Sequence, residues 1–408
     1  MPRHVGLCAG AAALCALLAA ATGVARAGFG EDGESARARE AVLSRLGLAP
    51  KVTAPGNATD SDSLRAFAPF LTDQDFETVL REFVQQRQQG RCPSARWWGG
   101  GQDSLAPRKA YRATAAPHCA FSGHVLNVGL FKTGTKSTTR ALQLLGYPCS
   151  TGSSQELQAQ VRNRTALQNL TASQVHAADF RALETWAAAG GPVPRSCGFW
   201  LGRGNPKQLR MADFWDLRAL PYKIEQAGLA PLVKLAVAHS RNLGDAPWLA
   251  LYREVDQLLG PGRLRLLLTV RASPTAAARS NLAMVRRGHL PALLQVGDGD
   301  GDAAANTAGK DTREAEGSLH VAAFYRRDRS RYIAHILDVL AYIRDDPCRL
   351  QILCYECTSG QEAWEQLAAF LDCDAVPSMP FPVQNTKAQR ENTKAQRERR
   401  QQTGNSNL

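Results

Sequence analysis

The run Lys132-Thr133-Gly134-Thr135-Lys136-Ser137-Thr138 places two ammonium groups, four hydroxyls and a glycine within seven residues. Such a stretch can wrap an anion, because backbone N–H groups and a helix N-terminus converge on it while hydroxyls and ammonium groups add donors. The flanking residues say what would hold it in place. Val125, Leu126, Val128, Leu130 and Phe131 precede it as an almost continuous apolar run, which predicts a strand of a parallel sheet covered on both faces. Ala141, Leu142, Leu144 and Leu145 follow at helical spacing, and Gly146 supplies the stop. The unit reads as strand, loop, helix.

The position of the lysines narrows the chemistry. Gly129 and Gly134 have the separation of a G-x-x-x-x-G-K-[ST] nucleotide loop, but Thr135 stands where the lysine belongs and Lys136-Ser137 arrive one residue late. No apolar strand ending in Asp offers the magnesium-binding partner of that motif. Further along, Leu264 to Val270 predicts a strongly apolar strand with Arg271 at its C-terminal end, where open α/β sheets bind ligands. Ser273-Pro274 then reads as an N-cap and first helical residue, with Ser280 inside the helix. Ahead of this strand, Asp245 and Pro247 open a helix carrying Leu249, Leu251, Tyr252, Val255, Leu258 and Leu259, which Gly260-Pro261-Gly262 ends. Pro231 to His239, PLVKLAVAH, predicts another strand, ending near His239.

The K-[ST]-G-T-[TK]-S run after an apolar strand resembles the 5′-phosphosulfate loop of the P-loop sulfotransferases, which use 3′-phosphoadenosine 5′-phosphosulfate (PAPS). An arginine at a strand end with a serine two helical turns on is similar to the grip of that family on the 3′-phosphate. The run D-A-P-W-x-x-L-Y-R-E before L-T-V-R resembles the membrane-associated, Golgi-type branch more than the cytosolic phenol-sulfating group. This chain departs by one residue: it reads R-A-S-P instead of R-x-P, and Ser280 follows Arg271 by nine positions instead of eight. The resemblance runs from about His124 to Asn385. It implies a three-layer α/β/α sandwich around a central parallel sheet, with PAPS as co-substrate and no metal.

Roles follow from the same resemblance. Lys132 would stabilise the bridging oxygen as the 5′-phosphate departs; Thr133, Gly134, Thr135, Lys136, Ser137 and Thr138 would cradle that phosphate; Arg271 and Ser280 would hold the 3′-phosphate. A base must also take the proton of the acceptor, and family members use His or Glu; His239 stands first here, then Asp245, then Glu184. The expected acceptor is a hydroxyl or amine, carbohydrate ahead of peptide tyrosine or a small metabolite. Two other readings stay open: a P-loop nucleotide kinase or nucleotidase, which would need magnesium and rely on Lys136, and a non-catalytic lumenal glycan-binding protein on the same fold.

The whole chain has 408 residues, 44% hydrophobic and 21% charged, enough for one large α/β domain with appendages. A net charge of +12 suits a nucleotide or acidic glycan, but by itself does not choose among nucleic acid, membrane surface and polysaccharide. No nucleic-acid partner is expected. Residues 1–27 read as a signal peptide or signal anchor: Arg3 and His4 precede an uncharged run from Val5 to Val24, then Ala25-Arg26-Ala27. Either version directs the chain into the secretory pathway, as a Golgi-lumenal type II protein held by its anchor or as a secreted one.

Sequons at Asn57, Asn163 and Asn169 and eight cysteines beyond the leader agree with an oxidising compartment, where disulfides are permitted but their connectivity is open. Cys354-x-x-Cys357 has neither a second pair nor a His cluster near it and reads as structural. Residues 28–120 read as a stem and N-terminal extension, with a helix capped at Thr72-Asp-Gln-Asp75, carrying Phe76, Val79, Leu80 and Phe83, and stopped at Gly90. The sulfotransferase-like domain is expected over 121–384, with a low-complexity insertion at 290–319. Within the insertion, Asp298-Gly-Asp300-Gly-Asp302 lacks the glycine and glutamate of a calcium loop. The helix from Val321 to Ile343 carries Arg326, Arg327, Arg329 and Arg331, a solvated face or one that meets acidic substrate. Leu350 to Glu356 predicts a strand and Trp364, Leu367, Phe370 and Leu371 the helix after it. The tail, 385–408, repeats Asn385-Thr-Lys-Ala-Gln-Arg-Glu391 in tandem and reads as disordered.

Overall fold

The computed structural model describes residues 31–48, 61–89, 92, 111–115, 117–131, 133–149, 217–226, 229–238, 240–284, 310–354 and 356–382. In chain order the described helices are α1 Glu31–Arg45, α2 Ser61–Phe67, α3 Asp73–Gln89, α4 Thr135–Leu144, α5 Leu220–Gln226, α6 Ala230–Ala238, α7 Tyr252–Leu259, α8 Pro274–Met284, α9 Lys310–Tyr342 and α10 Gly360–Phe370. The strands are β1 Arg112–Thr114, β2 His124–Asn127, β3 Asn242–Gly244, β4 Leu264–Val270, β5 Leu350–Cys354 and β6 Ala375–Pro377. Helices and parallel sheets together make an α/β fold.

Four strands form a parallel sheet in the order β3-β2-β4-β5. Its side chains alternate between two apolar clusters. Leu126, Leu266, Leu268 and Ile352 belong to one, with α1 to α3, α6, α7 and α9. Val125, Leu267 and Leu353 belong to the other, with α4 and α10. Burial on both faces is why β4 and β5 read as near-continuous apolar runs and not as alternating ones. β1 pairs with β6 in a separate parallel ladder, beside which the Cys119–Cys373 disulfide ties the same two segments. Cys92–Cys348 joins the end of the N-terminal helices to the turn before β5, and Cys354–Cys357 closes a turn after it.

Adjacent strands β2 and β4 send their helices to opposite faces. After β2 the chain turns into α4 on one side; after β4 it turns into α8 and α9 on the other. That divergence opens a crevice at the C-terminal ends of the strands, the place where open parallel sheets receive ligands.

Several expectations stand as read. β4 has the expected bounds, and Arg271 is the first residue beyond it. α3 is capped reciprocally: Thr72 N–H donates to the Asp75 carboxylate and Asp75 N–H donates to Thr72 Oγ1, both at 3.1 Å. The helix read after β5 is α10, and the structure adds a capping box between Ser359 and Glu362 at its start. Ser273 Oγ accepts from Ala276 N–H at 3.1 Å, with Pro274 starting the helix.

The PLVKLAVAH strand is corrected. That segment is helix α6, because Leu229, Val233, Ala236 and Val237 bury at helical spacing against the sheet. The neighbouring strand is instead β3, three buried residues long, too short to show a period in the sequence. The strand read from Val125 to Phe131 pairs only as far as Asn127, and Val128 to Phe131 continue as buried or half-buried loop. The helix read as Val321 to Ile343 begins at Lys310, within the stretch read as insertion. The helices of residues 28–120 share the main apolar cluster with the sheet.

Candidate functional site

The loop between β2 and α4 is shaped from inside. Gly129 lies flat against β4: a Cβ there would meet Thr269 Oγ1 at 1.8 Å and the Thr269 carbonyl at 2.6 Å. Gly129→Ala is therefore expected to cost about 3 kcal/mol or more through forced displacement of the central strands. Chemical denaturation reads this directly, and a variant as stable as the parent would contradict the packing.

Polar side chains fix the rest of the turn. Gly129 N–H donates to Asn127 Oδ1 at 2.9 Å. Thr133 Oγ1 donates to the Leu130 carbonyl at 2.6 Å and lies 2.8 Å from Thr269 Oγ1. These groups are wholly buried, so the Thr133 hydroxyl holds loop to strand. Gly134, at φ 95°, takes the left-handed conformation at the N-cap of α4, open to glycine without steric cost. Thr138 hydrogen-bonds back to the Gly134 carbonyl through both its N–H and its hydroxyl. Thr135 and Ser137 are nearly buried in the first turn, while Lys136 is exposed to solvent.

Arg271 leaves β4 two residues past Thr269, beside this loop. Its N–H donates to the Tyr332 hydroxyl at 2.9 Å, its guanidinium pairs with Glu356, and Ala272 N–H donates to the other oxygen of the same carboxylate at 3.1 Å. Next along the turn, Thr275 N–H donates to Asp73 at 3.3 Å, and Asp73 also pairs with Arg329 at 2.9 Å. Burial pushes the Asp73 carboxyl up, but hydrogen bonds from Thr275, Arg329 and Ser273 outweigh it and hold the group below its usual range. Arg329, one of the arginines read as a solvated or substrate-facing row, is thus a tie to the N-terminal helices.

The structure brings Thr133, Gly134, Thr135, Lys136, Ser137, Thr138 and Arg271 to one edge of the sheet. Asp245 joins them at the end of β3, with φ 69° and Oδ1 accepting from Ala246 N–H at 3.0 Å. Positive φ is uncommon for a residue with a Cβ and worth noting at a sheet edge where ligands bind. Ser280 is half-buried in the second half of α8. Lys132, His239 and Glu184 lie outside the described residues, as do Trp97, Trp98, the helical pattern of 152–190, the Asp298–Asp302 run, the leader and the repeat tail. The strand that motivated His239 as a base is the helix α6.

Reading from sequence missed the inward face of α9. Asp328, Tyr332, His335 and Asp338 lie at i, i+4, i+7 and i+10, a helical spacing that could have been found among the arginines. His335 donates to the Val128 carbonyl at 2.7 Å under the loop. Buried Asp328 accepts from Asn281 at 3.0 Å, and both line a small cleft with Leu130, Phe131, Arg331 and Tyr332. Burial raises the Asp328 carboxyl above its usual range.

Burial pushes the His335 imidazole down, against the upward pull of the Val128 carbonyl; His124, bonded to the Val237 carbonyl, shifts the same way. Below about pH 6.5 the unfolded chain then binds protons that the folded chain refuses, so stability is full above that pH and falls beneath it. Denaturation at about pH 7.5 and about pH 5.5 should show the loss at the lower pH, and His335→Gln should shrink the difference. Equal stability of the parent at both would contradict this.

Among the described residues no helix is long and apolar enough to cross a membrane, and no group of three or more His, Cys, Asp or Glu side chains is placed to hold a metal ion. No protein-family model, curated protein or solved structure matches the chain. The geometry sets the N-terminal turn of α4 at the end of one strand and the Arg271 guanidinium at the end of the strand beside it.

Proposed function

We propose that the chain is a PAPS-dependent sulfotransferase of the secretory pathway, built as a three-layer α/β/α sandwich and acting on a hydroxyl or amine acceptor, carbohydrate first among them. The observation that supports this reading best is the pairing of two anion-seeking features on adjacent parallel strands: the loop of Gly129 to Thr138 after β2 and Arg271 after β4. A nucleotide with phosphates at both ends of its ribose would span them.

Lys132, carried over from the family resemblance, would neutralise the bridging oxygen as the bond from sulfur to the 5′-phosphate breaks. The α4 turn would hold that phosphate through backbone donors, with Thr133 shaping the loop from within. Arg271, with Ser280 in the family pattern, would hold the 3′-phosphate. The acceptor oxygen or nitrogen attacks sulfur, and its proton passes to a base, for which Asp245 and the cleft-lining Asp328 are two candidates among the described carboxylates. Positioning and charge neutralisation supply most of the catalysis in such a scheme. The kinase reading would need magnesium and lean on Lys136, whose mutation should then matter more than that of Lys132.

Incubation of the lumenal portion with sulfur-labelled PAPS and a panel of glycan, peptide and small hydroxylated acceptors tests the activity. Label is expected on one acceptor class with EDTA present. Magnesium-dependent phosphoryl transfer from ATP in its place would favour the kinase reading.

A further inference from the structure

We propose that Glu356 is a built-in rival for the anion seat of Arg271, a carboxylate that an incoming phosphate dianion must displace. The inference rests on the reading of Arg271 as the 3′-phosphate ligand. One carboxylate oxygen of Glu356 pairs with the Arg271 guanidinium and the other accepts from Ala272 N–H, so the seat already holds an anion through two oxygens. A phosphate group could use the same pair of donors. Two further N–H donors of this turn are engaged elsewhere: Thr275 N–H by Asp73 and Ala276 N–H by Ser273 Oγ.

The arrangement holds the rival near the seat and leaves it displaceable. Glu356 sits in the turn closed by the Cys354–Cys357 disulfide, at the end of the strand beside β4, so its backbone stays next to Arg271. The seat has its own support, since Tyr332 holds the Arg271 N–H from α9. The two side chains are 24% and 38% exposed, and an ion pair this open to water contributes little. A phosphate brings nearly two charges and three acceptor oxygens against one charge and two. Glu356 therefore weakens the hold of any anion on the seat by a modest factor, which a dianion offsets more readily than a singly charged group.

Removing the rival raises the fraction of empty seats and tightens binding by that factor. For a pair of this exposure, Glu356→Gln should bind adenosine 3′,5′-bisphosphate about three- to tenfold more tightly than the parent. Adenosine 5′-monophosphate, which lacks the 3′-phosphate, should change less than about twofold, and the gain should vanish when Arg271→Ala is added. The test is calorimetric titration of the parent, the single variant and the double variant with both nucleotides. Unchanged or weaker bisphosphate binding by Glu356→Gln, with a parent that binds, overturns the proposal and leaves the functional reading standing. Equal tightening toward both nucleotides also overturns it. Bisphosphate binding by neither parent nor Glu356→Gln overturns the functional reading itself.

Discussion

If the proposed sulfuryl transfer is the reaction, replacing Lys132 with alanine should lower its rate by about a hundred- to a thousandfold while adenosine 3′,5′-bisphosphate affinity changes by no more than about threefold. The asymmetry is the point. Charge on the bridging oxygen appears only as the sulfur–oxygen bond breaks, so a cation aimed there stabilises the transition state and little of the ground state. Thr133, next in the chain, is anchored to the Leu130 carbonyl and lies against Thr269, which leaves the loop backbone held without the lysine. Steady-state kinetics with labelled PAPS, beside equilibrium titration, separates the two quantities. Equal losses in rate and affinity would reduce Lys132 to a binding residue, and an unchanged rate would remove it from the chemistry.

Arg271→Ala should act in the opposite sense, weakening bisphosphate affinity about thirty- to a hundredfold and raising the KM for PAPS more than it lowers kcat. On the proposed reading two charge-assisted bonds to the 3′-phosphate would disappear, and Glu356, which pairs with Arg271, would face the ligand without a cation between them. Stability should fall little, because the lost ion pair is partly exposed and the Tyr332 contact runs to the backbone of residue 271. Wild-type affinity in this variant would show that the nucleotide is held elsewhere. Added salt should narrow the gap between parent and variant, since the guanidinium is partly exposed and screened.

Legibility varied with how much of a segment's environment its own residues carry. β4 and Arg271 were plain because a strand buried on both faces is apolar over most of its length, and the first charge after it marks the sheet edge. β3 was hidden, since three residues hold no period, and the apolar run nearby was taken for the strand when its spacing buries one side of a helix. The reason the β2 loop has its shape was also invisible: Gly129 is small because Thr269, 140 positions later, lies against it. The polar face of α9 was overlooked because four arginines dominate that stretch, while Tyr332 and His335, which touch the site backbone, are ordinary residues until the fold puts Arg271 and Val128 beside them. Glu356 was read only as a strand end, and its meeting with Arg271 depends on β4 and β5 being neighbours.

The central claim is that this sheet edge binds a nucleotide bearing a 3′-phosphate without metal. Titration of the full chain with adenosine 3′,5′-bisphosphate in EDTA answers it. Saturable, metal-independent binding that Arg271→Ala weakens and Lys132→Ala largely spares is the expected result. A folded protein that ignores the bisphosphate, or that binds only ATP with magnesium, would contradict it.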